Sequence, residues 1–172
     1  TLGDSWSYKP EDHYKSARQI VHTLVDIVAK GGNYLLNVGP DANGELPTAA
    51  VARLAEIGTW IKTNGEAIYA TRPVAPYRDG KVCFTRGKDG ALYAIYLLDE
   101  GEVVPGTIAL KGMAPAEDAT IRLLGSDAQL KWRRDGADTS IDLPETARRQ
   151  AANDYAVSLR ISAIRPGKKH LG

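Results

Sequence analysis

Apolar positions recur at helical spacing between residues 10 and 30: Tyr14, Ala17, Ile20/Val21, Leu24 and Ile27/Val28 form one broad stripe. Pro10 suits a first helical turn, Glu11 and Asp12 complement the helix dipole there, and Lys30 does so in the last turn. Gly31 and Gly32 supply the positive φ that stops a helix without a Cβ penalty. Tyr34, Leu35, Leu36 and Val38 then make a short run that is apolar on both faces, the pattern of a strand covered on both sides in a parallel sheet. Gly39-Pro40 breaks that strand, and Asp41-Ala-Asn-Gly44 is turn chemistry. A second helix is predicted from Pro47 to about Asn64, with Val51, Leu54, Ala55, Gly58 and Ile61 inward and Gly65 just beyond its end.

From Arg72-Pro73 the period changes from helical to alternating, and Pro73 and Pro76 stiffen the passage. A domain boundary is expected there, giving residues 1–72, 73–164 and a tail 165–172 without apolar period. Strands are predicted at 81–86, 91–97, 107–110, 119–124, 130–133, 139–143 and 155–163, with Lys88-Asp89-Gly90 as a hairpin turn between the first two. Short, half-exposed antiparallel strands at such intervals argue a β-sandwich. The fold class is therefore α/β followed by all-β.

Composition narrows the function. Across 172 residues, 43% hydrophobic content is ample for a packed core. With 22 Lys+Arg against 21 Asp+Glu, the net charge of +1 draws the chain neither to nucleic acid nor to a membrane surface. No apolar run approaches a membrane span, and no secretory signal opens the chain; a start at Thr1-Leu-Gly-Asp, without Met, is compatible with loss of such a segment. Cys83 is alone, so no internal disulfide forms and the redox compartment stays undecided.

Chemistry-bearing motifs are sparse. Neither a G-x-G-x-x-G nor a phosphate loop occurs, and no cofactor or metal is expected. Asp41, Asn43 and Glu45 alternate like calcium-loop oxygens, but the run is too short and reads as a plain turn. His13 and His22 are nine apart, which does not make a metal pair on one helical turn, so surface or capping roles are expected. Asp4, Asp41 and Glu45 are the carboxylates near the expected C-terminal end of the strand; glycoside hydrolysis needs two, roughly 5–10 Å apart, which spacing alone does not establish. Trp6 and Tyr8 stand in a polar lead-in, either anchoring that loop on the body or offering an indole face to a sugar ring. A helix, one buried strand and a helix leave both strand edges unpaired, so residues 1–72 are expected to be part of a larger sheet.

Ser5-Trp6-Ser7-Tyr8, the run Leu24-Val-Asp-Ile-Val-Ala-Lys-Gly-Gly-Asn-Tyr-Leu-Leu-Asn-Val-Gly-Pro40, then Asp41-Ala-Asn-Gly-Glu-Leu-Pro47 and Ile57-Gly-Thr-Trp-Ile-Lys-Thr-Asn-Gly-Glu-Ala-Ile-Tyr69 resemble the last third of family 29 α-L-fucosidases. The resemblance is tight over residues 4–73 and general beyond. It implies a retaining hydrolase on a (β/α)8-like barrel, of which residues 1–72 would be the last helix-strand-helix part, followed by the family's C-terminal β-sandwich. The Asp nucleophile and the acid/base would lie before Thr1, so no catalytic residue is assigned in this chain and the chain alone is expected to be inactive. Trp6 is the one site residue carried over, as the aromatic that packs on the apolar side of fucose near its C5 methyl. Ser7 departs from the family, which usually has Gly there.

The implied partners are the upstream catalytic portion, in the same or a separate chain, and a fucosylated glycan. A homo-oligomer is compatible with the resemblance, and it implies a secreted, periplasmic or lysosomal setting. A rival reading is a non-catalytic carbohydrate-binding or structural sandwich, with Trp132, Tyr93 and Tyr96 as platform residues. The apolar run at 34–38 speaks against a free-standing module, and Tyr93 and Tyr96 fall on opposite faces of one strand, so at least one of them is expected in the core.

Overall fold

The computed structural model describes residues 1–151 and 155–163; the expected tail 165–172 and residue 164 lie outside the described residues. Two helices come first, α1 (Ala17–Ala29) and α2 (Thr48–Asn64), the second running into a 3-10 turn at Gly65–Ala67. Eight strands follow: β1 (Arg72–Asp79), β2 (Val82–Arg86), β3 (Leu92–Leu97), β4 (Thr107–Leu110), β5 (Ile121–Leu123), β6 (Lys131–Asp135), β7 (Asp138–Asp142) and β8 (Ala156–Ile161). A short helix, α3 (Glu145–Gln150), lies between the last two. The strands form a five-stranded sheet in the order β1-β2-β3-β8-β5 and a three-stranded sheet in the order β4-β7-β6, and every named pairing is antiparallel.

Alternation along the central strands builds two cores, one on each face of the larger sheet. Val82 and Phe84 of β2, Leu92 and Ala94 of β3, and Val157, Leu159 and Ile161 of β8 face Ile108, Leu110 and Ile141 of the smaller sheet. Cys83, Tyr93, Ile95, Leu97 and Ala156 face the other way, onto Ile20, Val21 and Val25 of α1 and Ile57 and Trp60 of α2. The central strands are thus buried on both faces rather than half exposed as expected, because the helices cover the side that a bare pair of sheets would leave in water.

Polar ties fix this helix layer. Buried Trp60 Nε1 donates to Ala156 O at 2.8 Å, and Thr85 Oγ1 donates to Ala67 O at 2.7 Å. Arg18 Nη1 donates to Leu98 O and Asp99 O, both at 2.7 Å, and His22 Nε2 lies 2.9 Å from Tyr155 O. His22 is therefore a helix-to-sheet contact, while His13 is exposed.

The buried face of α2 is Ala50, Ile57, Trp60 and Asn64, with Val51 and Ala55 exposed rather than inward, and three further expectations change. Helix α1 begins at Ala17 rather than Pro10: Glu11 takes a positive φ in a turn, and Ser16 caps the helix in a box with Gln19, each side chain bonding the other's backbone N–H. Its stop is where expected, but Gly31 alone takes the positive φ, at 86°, with the bonds Gly32 N to Ile27 O and Gly31 N to Val28 O of a Schellman motif. The stiff passage after Arg72 is itself a strand, which among the described residues pairs with β2 alone; as an edge strand it tolerates Pro73 and Pro76, which have no N–H to give a ladder.

The third change concerns residues 34–38, which form an extended segment but no strand. Among the described residues the segment has no ladder; its one backbone contact with the lead-in is Asn37 O accepting from Leu2 N at 2.9 Å. It is also one-sided. Tyr34, Leu36 and Val38 pack on the helix-side core, whereas Leu35 is 90% exposed. The expected parallel sheet is absent from the described residues because no neighbouring strand lies against either edge.

Two outcomes follow from this packing. Trp60→Phe keeps most of the apolar volume and loses the bond to Ala156 O, so chemical denaturation should show a loss of about 1 kcal/mol, and Trp60→Ala should lose about 3–5 kcal/mol; a Trp60→Phe variant as stable as the wild type would mean the indole N–H contributes nothing. In hydrogen exchange of the chain alone, the amides of residues 34–38 should exchange far faster than those of β3, which is paired on both sides. Strong protection at 34–38 would contradict the unpaired edges.

Candidate functional site

Residues 3–7 form a bend that projects Trp6 into solvent with 84% of its surface exposed, and Tyr8 beside it is also exposed. The bend is held from below. Leu2 is fully buried; its N–H donates to Asn37 O, and Lys15 N donates to Leu2 O at 2.9 Å. Lys15 Nζ donates to Thr1 O and Gly3 O, both at 3.1 Å, and Ser5 N donates to Asp12 Oδ2 at 3.3 Å. These ties hold the bend without any packing by the exposed Trp6 ring.

The carboxylates divide by role. Asp41 Oδ1 accepts from Asn43 N at 2.8 Å and Glu45 N at 2.9 Å, and the turn closes through Asp41 N to Glu45 O and Gly44 N to Asp41 O. Asp41 therefore builds the turn, with Gly44 at φ 82°. Asp4 lies exposed in the same bend as Trp6, and Glu45 is exposed at the end of the Asp41 turn. Among the described residues, no group of three or more His, Cys, Asp or Glu side chains is placed to hold a metal ion. No helix among them is long and apolar enough to cross a membrane.

The platform residues of the rival reading are engaged elsewhere. Tyr93 is buried in the helix-side core and donates its hydroxyl to Glu66 Oε1 at 2.8 Å; burial first, and then the Glu66 carboxylate, push its pKa up. Glu66 also accepts from Arg122 Nη2 at 2.9 Å and lies 2.9 Å from Arg160 Nε, so it joins the end of α2 to β3, β5 and β8. Tyr96 packs on the inter-sheet core and donates to Glu102 Oε1, and half-buried Trp132 donates Nε1 to Ala119 O at 3.2 Å. Tyr93 is thus in the core, and Tyr96 and Trp132 are each half-buried and tied through their polar atoms. Tyr69, 64% exposed just after the 3-10 turn, is an exposed aromatic that sequence reasoning passed over; only its place after a helix end hinted at it.

Residues 1–66, which contain the Trp6 bend, α1, the extended segment and α2, match the family model for Alpha-L-fucosidase. The tissue alpha-L-fucosidase of Rattus norvegicus is 33% identical over 136 residues, 76% of this chain and 29% of the relative. That of Mus musculus is 30% identical over 166 residues, 93% of this chain and 36% of the relative. The chain belongs to the α-L-fucosidase family. It matches the C-terminal portion of its members and spans about a third of the length of these relatives. Its mixed helices and antiparallel sheets superpose on the alpha-fucosidase of Thermotoga maritima with a TM-score of 0.78 at 30% identity, over 93% of this chain and 37% of that one. The same Thermotoga enzyme has been solved in complex with fucose, and this chain superposes on that structure with a TM-score of 0.77 at 29% identity, over 92% of this chain and 37% of that one. Among fucosidases, then, the similarity runs through the sheets as well as through the helical part.

Proposed function

We propose that the chain is the C-terminal part of a retaining α-L-fucosidase that removes terminal α-L-fucosyl groups from glycans or glycoconjugates. Residues 1–72 are the last part of a (β/α)8-like barrel, residues 73–164 are the accessory β-sandwich, and the nucleophile and acid/base belong to a portion upstream of Thr1. The observation that carries this reading is the juxtaposition of an exposed indole on a tied loop with an extended segment whose edges have no strand beside them. A barrel supplies both needs: strands to pair with residues 34–38, and a mouth at the C-terminal ends of those strands where ligands bind. The lead-in loop lies alongside that end of the segment, at Asn37. The part played by the Asp41 carboxylate in its own turn supports placing the reacting carboxylates elsewhere.

Trp6 is the sugar-contacting residue of this reading. Fucose differs from its galactose counterpart by a methyl where the latter has a hydroxymethyl group, so an indole face against C5 favours the methyl. Transfer of an apolar group from water to such a contact is worth roughly 1.5–3 kcal/mol, which as lost transition-state stabilisation is a fall of about tenfold to a hundredfold in kcat/KM.

Purified residues 1–172 alone should not hydrolyse an aryl α-L-fucoside, while the complete protein should; turnover by the pure chain would sink the reading and make Asp4, Asp41 and Glu45 the carboxylates to mutate first. In the complete enzyme, Trp6→Ala should lower kcat/KM for an α-L-fucoside more than for the matching α-L-galactoside, at an unchanged melting temperature. An unchanged ratio with a falling melting temperature would make Trp6 a loop anchor and remove it from the site.

A further inference from the structure

We infer that Gly39 and Asp12 are positioning residues for Trp6, fixing the indole by holding the bend from two sides; the inference rests on the reading that Trp6 contacts the sugar. Gly39 shows the stronger constraint. A Cβ built on it would lie 2.5 Å from Tyr8 N, 2.6 Å from Ser7 C and 3.1 Å from Ser7 Cα, where ordinary contact begins near 3.4 Å. All three atoms are backbone, so no side-chain rotation relieves the clash. The φ of Gly39 is not in the left-handed region, unlike those of Gly31 and Gly44. Its own backbone conformation therefore does not ask for glycine; the close approach of residues 7 and 8 does.

Asp12 acts from the other side. Its Oδ2 accepts from Ser5 N, and a Cβ built on Gly3 would lie 2.1 Å from the same oxygen, so this carboxylate fills the space beneath the bend. Leu2 is tied to Asn37, two residues before Gly39, and Ser5 is tied to Asp12. A push on residues 7 and 8 cannot be shared along the whole lead-in, so it falls on the short stretch between Ser5 and Tyr8, which is where Trp6 stands. A displacement of roughly 1 Å at a sugar-contacting group can reduce turnover by up to about a hundredfold.

The test is the ratio of kcat/KM for an α-L-fucoside over the matching α-L-galactoside in the complete enzyme, measured for wild type, Trp6→Ala, Gly39→Ala, Asp12→Ala and the double variant Trp6→Ala/Gly39→Ala. Gly39→Ala should lower the ratio about tenfold, and Asp12→Ala, which removes an acceptor and overfills nothing, about threefold. The double variant should match Trp6→Ala within about twofold, since Gly39 has nothing left to position once the indole is gone. If Trp6→Ala changes the ratio while Gly39→Ala and Asp12→Ala leave it at the wild-type value, the positioning roles are overturned and the site reading stands. If Trp6→Ala leaves the ratio unchanged, the site reading fails and the positioning roles fail with it. Should Gly39→Ala not fold, Asp12→Ala decides: a lowered ratio supports the inference and a wild-type ratio overturns it.

Discussion

The structure depends on one requirement, that the central strands of the five-stranded sheet be covered on both faces. Along β3, Leu92, Ala94 and Tyr96 belong to one core and Tyr93, Ile95 and Leu97 to the other. A strand with apolar residues at every position cannot leave either face to water without losing roughly 1.5–3 kcal/mol for each large side chain uncovered. The three-stranded sheet covers one face and α1 and α2 cover the other. Buried donors such as Trp60 Nε1 and Thr85 Oγ1 settle on backbone carbonyls across that second boundary. Helices and sheets are thus bound through a buried apolar interface rather than through the chain connection alone.

This requirement also explains what the sequence disclosed and what it concealed. Seven of the strands were legible to within a few residues, because alternation, turn glycines and β-branched residues act locally. The hairpin at Lys88-Asp89-Gly90 closes as its residue types dictate, with Asp89 Oδ1 accepting from Ala91 N and Gly90 at φ 86°. The covering of both faces was not legible, since an unbroken apolar run such as Ala91 to Leu98 reads alike in a parallel and in a doubly covered antiparallel sheet. β1 was concealed by its prolines, which mark a loop unless the strand is known to be an edge. α3 was concealed by its length, because six residues give too short a stretch for a helical period. The start of α1 was present in Ser16 and Gln19, the two members of a capping box, but Pro10 with its acidic neighbours offered a competing start.

For the candidate site the outcome divides in the same way. Trp6 was legible as an aromatic in a polar lead-in, and its exposure is in the structure. The ties that hold its loop were not legible, because they join Leu2 to Asn37, Lys15 to Thr1 and Gly3, and Ser5 to Asp12, pairs that no local pattern links. Gly39 is the sharpest instance. Next to Pro40 it reads as a strand breaker, and only coordinates reveal that it is small because another part of the chain passes within van der Waals distance of where its side chain would begin.

The extended segment at 34–38 brings these strands of reasoning together. Its inward residues Tyr34, Leu36 and Val38 have found the helix-side core, so the segment is already shaped and placed by what this chain supplies. Its outward Leu35 is nearly bare, and among the described residues no backbone carbonyl pairs with the amides along its edges. Both deficits are of the kind that one neighbouring layer removes at once: a buried leucine is worth roughly 1.5–3 kcal/mol and each satisfied backbone bond about 1 kcal/mol. Such a segment is costly as a permanent surface and inexpensive as a docking edge. The loop bearing Trp6 is fastened to this same segment at Asn37, so whatever pairs with the edge also sets how far the indole stands from it. The geometry of a sugar site built here would therefore be settled by strand pairing, with the loop, Gly39 and Asp12 transmitting that position to the ring.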